Sequence, residues 1–440
     1  MTDFYHHKEN ISADVREQTL FSRLPEFVSL AKQQSSYYQE LLADINADNV
    51  DSRAQLAKLP ITRKSDLLHL QKLSPPLAGV NTKNGNVSRI FQSPGPIYEL
   101  ENCQQDWWRM GQAFYAAGFR EGDLVQNCSS YHLTPGGFIL DSGARACGCA
   151  VIPAGPGQTE QQLELIEDLK PQGYSGTPSF LNILLNKAKE QSRDISSIKK
   201  ALVTGEALPK ALRAEFTHAG IDVLQAYATA DIGLVAYESI ADDGLIIAED
   251  LIVEIVRPGS LEPVADGEVG EVVVTSFNAD YPLIRFATGD LSAVKSGKSA
   301  CGRSNMRIKG WLGRADQTTK VKGMFVHPEQ IERVRLTTDD FPKARLTITQ
   351  QNHQDKMHLQ CEFNHINKPD VNTETLLFQL TSDLKKFTKL NGSVEFVQVG
   401  TSTSVNTEFV AAETVDPNTV KMSVNKKIDP NTITAVPANF

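Results

Sequence analysis

The stretch "PLIRFATGDL", residues 282–291, decides the fold. An apolar run carries one arginine and ends on Thr-Gly-Asp. Such a run favours a strand, and Gly289-Asp290 marks where it turns or stops. A carboxylate at that place can accept both hydroxyls of a ribose. Taken alone, the stretch also fits an ordinary β-turn, so its neighbours carry the decision.

Downstream lies "GWLGRADQTTKVKG", residues 310–323. Gly, Arg, Asp and Lys concentrate there, after a Val- and Ile-rich region and before a new αβ unit. That suits a linker between domains, and a charged, Gly-flanked linker can absorb the dihedral change of a domain rotation. A solvated surface loop has the same composition. Upstream lies "QAYATAD", residues 225–231, with an aromatic ring, a hydroxyl and a carboxylate in one short loop at a strand end. The ring can stack on a base, and the carboxylate can hold Mg²⁺, which takes oxygen ligands. A buried tyrosine beside a helix-capping aspartate reads the same way.

The chain around these stretches has 440 residues, 40% of them apolar and 22% charged, with a formal charge of −9. That length predicts two or more domains with sizeable cores. The acidic balance gives little general attraction to nucleic acid or anionic lipid. The apolar stretch from Phe138 to Ile152 is broken by Asp141 and Arg145, so no membrane span is expected. The start, MTDFYHHKEN, has no apolar core of a secretory signal, which leads to the expectation of a cytoplasmic protein. Six scattered cysteines argue against a disulfide framework. Cys147 and Cys149 form a CxC pair with no second pair to complete a zinc site.

Residues 1–85 read as a helical lead-in. Residues 86–245 alternate strand-like and helix-like segments, the mark of βαβ units and a mostly parallel sheet. Ligands of such sheets sit beyond the carboxyl ends of the strands. The loops there hold Tyr131-His132, Gly205-Glu206 and Tyr227 to Asp231. Residues 246–313 are rich in Val and Ile with Gly-bearing turns and predict a small antiparallel β subdomain. Residues 317–440 predict a small α+β domain ending near residue 400, with a polar tail.

Five motifs occur in one order, and together they make the chain resemble the adenylate-forming superfamily, most closely its phenylacetate–CoA ligase-like branch. "YPLIRFATGDL" resembles that branch's PLIRYRTGDL, and "GRADQTTKVKGMFVHPEQIE" its hinge motif GRxDDxxxxxGxxVFPxQIE. "YATAD" stands where the superfamily has YGxTE, and "TGEAL" where a Gly-Glu pair lies beside adenine. "YHLTPGG" is similar to the loop lining the acid pocket. The resemblance implies a large N-terminal domain, a hinge at 314–316 and a mobile α+β lid over 317–440.

It also implies chemistry. A carboxylic acid attacks ATP to give an acyl adenylate; the lid rotates, and coenzyme A displaces AMP. Asp290 would take the ribose hydroxyls. Tyr227 would stack on adenine, followed by Ala228 and Thr229, with Gly205 and Glu206 along the base. Asp231 would hold Mg²⁺. Arg285 and Arg314 would contact ribose or phosphates, Arg314 and Lys322 would serve catalysis, Lys320 would bind cofactor, Lys320 and Lys322 could serve either conformation of the lid, and Asp316 would be the hinge. Tyr131, His132 and Gly136 would border an acyl or aryl pocket, although His132 also fits a purely structural role. The resemblance allows a homodimer.

The chain departs from the pattern in three places. The family's phosphate loop resembles SSGTTGxP, but this chain has "RIFQSPGPIYE", residues 89–99. Proline has no N–H, so Pro94 and Pro96 each remove a donor from a phosphate nest. Ser93 and Gly95 remain. Asp231 is one methylene shorter than the usual glutamate, and Ala228 replaces a glycine. The family's C-terminal Gly-Lys element is absent after residue 390, leaving Lys426 and Lys427 of "NKKID" as candidates for the adenylation lysine. Two alternatives stay open: an adenylyltransferase that does not use coenzyme A, and a nucleotide- or acyl-CoA-binding protein on a ligase scaffold.

Overall fold

The computed structural model describes residues 4–93, 97–257, 260–315, 319–321, 324–326, 328–335, 337, 344–351, 354–363, 372–397 and 420–424. The chain divides into two compact units, Met1–Asp316 and Gln317–Phe440. In the lead-in, the helix Ala13–Gln34 starts at Ser12, whose side chain accepts from the Val15 N–H at 3.2 Å. Leu20, Leu24, Phe27, Val28 and Ala31 recur at helical spacing and are buried. Two sealed ion pairs hold the N-terminal turn and this helix: Arg303 to Glu9 at 2.6 Å and Arg16 to Glu249 at 2.8 Å.

The large sheet of the first unit has nine strands. Ala150–Pro153, Leu124–Asn127, Gly173–Gly176, Lys200–Val203 and Asp222–Thr229 pair in that spatial order, all parallel. The helices Gly136–Ala146, Thr159–Leu169, Pro178–Gln191 and Lys210–His218 lie between them in the chain. Beyond Asp222–Thr229 the sheet continues antiparallel through Gly233–Tyr237, Leu245–Ile247, Arg307–Ile308 and Val294–Lys295.

A second sheet sets Thr62–Arg63, Leu283–Ser292, Gly270–Ser276 and Leu251–Val256 side by side, with Gly313–Arg314 also paired to Leu283–Ser292. Residues 246–313, expected as one β subdomain, are thus shared between two sheets, and the lead-in adds a strand to the smaller one. The short strands responsible have two or three residues, too few for a period to register. The hairpin Arg89–Ser93 and Ile97–Glu101 brackets residues 94–96.

The second unit has a four-stranded sheet in the order Ser393–Val397, Gln354–Glu362, Ala344–Gln351, Val420–Val424. Its core gathers Ile331, Val334, Leu346, Leu359, Leu380 and Leu384. The helix Thr373–Thr388 begins at Asn372, whose side chain accepts from the N–H groups of Glu374 and Thr375, both at 3.1 Å. The expected end near residue 400 is corrected: Val420–Val424 closes one sheet edge against Ala344–Gln351. All six cysteines are free, and Cys128, Cys147, Cys149 and Cys361 are buried. No helix among the described residues is long and apolar enough to cross a membrane.

Candidate active site

The strand Leu283–Ser292 is buried along nearly its whole length and delivers Asp290 near its end. The segment that follows returns antiparallel, placing Arg314 opposite Asp290. Three donors then converge on one carboxylate. Arg314 donates to Asp290 Oδ1 at 3.0 Å, and Trp311 Nε1 donates to the same oxygen at 3.0 Å. The Tyr227 hydroxyl donates to Asp290 Oδ2 at 2.8 Å. Arg314 also reaches the Thr288 carbonyl at 3.2 Å. Burial, reinforced by the Asp290 charge, pushes the Tyr227 phenol well above its usual range, so it is held as a donor.

Tyr227, Ala228 and Thr229 are not in a loop. They complete the strand Asp222–Thr229 and pair with Gly233–Tyr237, with a register shift between Tyr227 and Ala228. The Thr229 hydroxyl accepts from the Ile232 N–H at 3.1 Å and ties down the turn that carries Asp231. Asp231 itself is 7% exposed. Its Oδ2 accepts from Lys64 Nζ at 2.6 Å, while its Oδ1 is buried with no hydrogen-bond partner among the described residues. Lys64 stands here because Thr62–Arg63 pairs parallel with Phe286–Ala287, and the helix Lys64–Leu73 starts directly after.

A third charged group joins them. Glu99, on the hairpin strand Ile97–Glu101, lies 3.5 Å from Lys64 Nζ. It is 1% exposed, and neither of its oxygens has a hydrogen-bond partner of ordinary geometry among the described residues. Burial pushes its carboxyl up to about 8; Lys64 pulls it down, Asp231 pushes it further up, and Ser93 pulls it down. Burial opposes the charge of Lys64, yet Asp231 and Glu99 raise its ammonium above the ordinary lysine value.

Gly205 takes φ +86°, in the left-handed region that suits glycine. Glu206 accepts from the Ser179 N–H at 3.4 Å. Tyr131 is fixed at its hydroxyl by Asn127 Nδ2 at 2.7 Å and Asp141 at 3.2 Å, and its ring meets Phe138 edge-on at 5.2 Å. His132 is exposed. Of the two glycines in this loop, Gly137 is the one with no room for a side chain. A Cβ at Gly137 would lie 2.7 Å from the Tyr131 ring and 2.8 Å from the Ser130 carbonyl, whereas at Gly136 nothing is closer than 3.9 Å.

Arg285 is not brought to the site. Its side chain is fully buried, with five donors spent on Glu254 (3.0 and 3.1 Å) and the carbonyls of Ala57, Leu59 and Leu261. Its φ of +45° lies in the left-handed region. Ser93 is buried at the hairpin end. Gly95, Asp316, Lys322, Lys426, Lys427 and the side chain of Lys320 lie outside the described residues. Leu68, Gln71, Lys72, Pro75, Pro76 and Tyr98 line a pocket of about 380 Å³.

Lys64, Glu99 and Trp311 are the members that motif reasoning missed. Lys64 comes from a segment with no nucleotide signature, and Glu99 ends the stretch 89–99 set against the phosphate loop, where only the backbone donors were weighed; the pairing of a two-residue strand and a hairpin brings both to Asp231.

The AMP-binding enzyme family matches residues 109–279. A phenylacetate–coenzyme A ligase of Pseudomonas putida is 31% identical over 341 residues, 74% of this chain and 76% of that protein. Another, from Aromatoleum evansii, is 29% identical over 409 residues, 88% of this chain and 91% of that one. Among solved structures, a 2-hydroxyisobutyryl-CoA ligase in complex with 2-HIB-AMP and CoA superposes with a TM-score of 0.82 at 21% identity, over 91% of this chain and 90% of that chain.

Proposed function

Starting from the premise that the chain belongs to the phenylacetate–coenzyme A ligase family of adenylate-forming enzymes, we propose that it activates a carboxylic acid with ATP and passes the acyl group to coenzyme A. The observation that carries this reading is Asp290, held in one orientation by Tyr227, Trp311 and Arg314. A fixed, desolvated carboxylate beside an aromatic ring suits a ribose and its base.

Arg314 pairs with Asp290 and holds it oriented, and Tyr227 offers its ring to adenine. Tyr131 and Phe138 give the acid pocket aromatic walls, which favours an aryl acid. Asp231 and Glu99 offer oxygens without hydrogen-bond partners among the described residues, a donor set that fits a hard divalent cation such as Mg²⁺. When bound, such a cation would offset phosphate charge. The attack frees pyrophosphate and leaves an acyl adenylate, whose carbonyl the coenzyme A thiol then takes, releasing AMP.

The test is a panel of aryl and alkyl acids with ATP, Mg²⁺ and coenzyme A. Acid-dependent pyrophosphate release and a coenzyme A thioester are expected. Pyrophosphate release that ends in an AMP ester, with no dependence on coenzyme A, would move the reading to an adenylyltransferase. AMP binding with no turnover on any acid would overturn catalysis and leave a nucleotide-binding protein.

A further inference from the structure

The strand Arg89–Ser93 opens the stretch set against the phosphate loop, yet three of its residues touch the loop and helix that follow the strand Leu124–Asn127. The Arg89 guanidinium lies over the Phe138 ring, 4.8 Å from its centroid. Phe91 meets the same ring at 5.2 Å, tilted by 47°. The Gln92 N–H donates to the Leu133 carbonyl at 2.8 Å. Tyr131 completes the group, edge-on to Phe138. All three ring contacts fall in the range where aromatic and cation–π pairs attract.

Each partner of Phe138 is itself held. Arg89 Nη1 donates to Glu101 at 2.6 Å, and the two residues face each other in register across the hairpin. Phe91 is buried and lies 6.1 Å from the Trp108 ring. The Tyr131 hydroxyl is fixed by Asn127 and Asp141. Arg89 also borders a cavity of about 460 Å³ that Glu101, Ser142 and Arg145 share. The cation therefore keeps water beside it, and seating it on the ring costs little desolvation.

Phe138 is only half-buried. A ring gripped by three neighbours, with surface still open, is a rigid wall. Its place suits a ligand. It stands in the first turn of the helix Gly136–Ala146, just beyond the carboxyl end of a parallel strand, where such sheets bind their ligands. Tyr227 stands near the carboxyl end of another strand of the same sheet.

We propose that Arg89 is a positioning residue for acid specificity: held by Glu101, it fixes the Phe138 ring so that the pocket takes a flat aryl acid in preference to an alkyl acid of similar size. The inference rests on the ligase reading for the ligand's being a carboxylic acid. A wall already in place gives up no rotamer freedom when a planar ring stacks on it. A flexible alkyl chain must order its own torsions to cover the same plane, so it gains less.

The experiment is calorimetric titration of the full chain, with AMP present, by phenylacetate and by hexanoate. The parent is expected to bind phenylacetate more tightly. Arg89→Gln should weaken phenylacetate about three- to fivefold, the worth of a part-exposed cation–π contact, and hexanoate by less than about twofold. In a Phe138→Leu background the same change should leave the ratio of the two affinities where it was, because the cation then has no ring to hold. A merely structural role for Arg89 would shift both acids alike. Equal losses for the two acids, an aryl preference untouched by Arg89→Gln, or the same effect of Arg89→Gln without Phe138 overturns the proposal. So does a parent that binds the two acids equally, or neither. Should Phe138→Leu fail to fold, the ratio of affinities in Arg89→Gln against the parent still decides. Because the readout is binding, failure of the ligase reading shows separately, as absent pyrophosphate release with the Arg89-dependent aryl preference intact.

Discussion

Asp290 has about four acceptor positions on its carboxylate, and three donors within the chain use them. Little capacity is left for two ribose hydroxyls unless a donor yields. Trp311, at 44% exposed, is the one that can move. Trp311→Phe is therefore expected to leave AMP affinity unchanged or tighter by calorimetry. Asp290→Asn, which meets the same donors with an amide, should lose at least about tenfold, the worth of a charged hydrogen bond. Equal losses in both would contradict this account. Asp290, Tyr227 and Arg314, each in a short ordered motif of the sequence, are the residues the structure brings into contact. Trp311, two residues before Gly313, lay inside a motif already singled out, but nothing in a linker composition says which ring nitrogen reaches back to a strand.

At the scale of elements, the strand Leu283–Ser292 explains why Arg285 was misplaced by motif order. A strand buried on both faces shows no alternation, so its inward arginine cannot be told from a site cation. The structure spends Arg285 on Glu254 and on carbonyls of the lead-in. Arg285→Met should cost about 3–5 kcal/mol in chemical denaturation, since it leaves Glu254 charged and buried alone. AMP affinity of the folded fraction should not change. A variant that keeps its stability but loses AMP would restore Arg285 to the site. The loop before Gly136–Ala146 gives a second contrast. Gly137→Ala should cost about 1–3 kcal/mol through overpacking against Tyr131 and the Ser130 carbonyl, while Gly136→Ala should be near neutral in a thermal melt. Which of two consecutive glycines packs against a ring depends on backbone turns that the sequence does not reveal.

For the whole molecule, buried acids set a pH dependence. Burial holds Glu99 at about 8 against an ordinary 4.5, and burial holds Asp106 at about 7 against 3.8 despite the Gly111 N–H at its side. Both folded values lie above the unfolded ones. At these two groups the native state binds more protons, so the stability they contribute is greatest at low pH and declines as pH rises. The window runs from about 4 to 8 in metal-free buffer. Glu99→Gln should flatten the upper part of that decline in denaturant midpoints measured across pH, and a slope identical to the parent's would show that Glu99 does not titrate there. The two-unit division and the α/β class were readable from segment lengths and composition. The sharing of residues 246–313 between two sheets was not, since it depends on strands of two or three residues whose partners lie far along the chain. One such partner has a consequence for biosynthesis. Arg285 bonds the carbonyls of Ala57 and Leu59, 228 and 226 positions earlier, and Thr62–Arg63 waits for Phe286–Ala287. On a ribosome adding about 5–20 residues per second, the lead-in helices stay undocked for roughly 10–45 s after they emerge. Their apolar faces are in that interval open to chaperones, and a truncation ending before residue 283 would leave them without a seat.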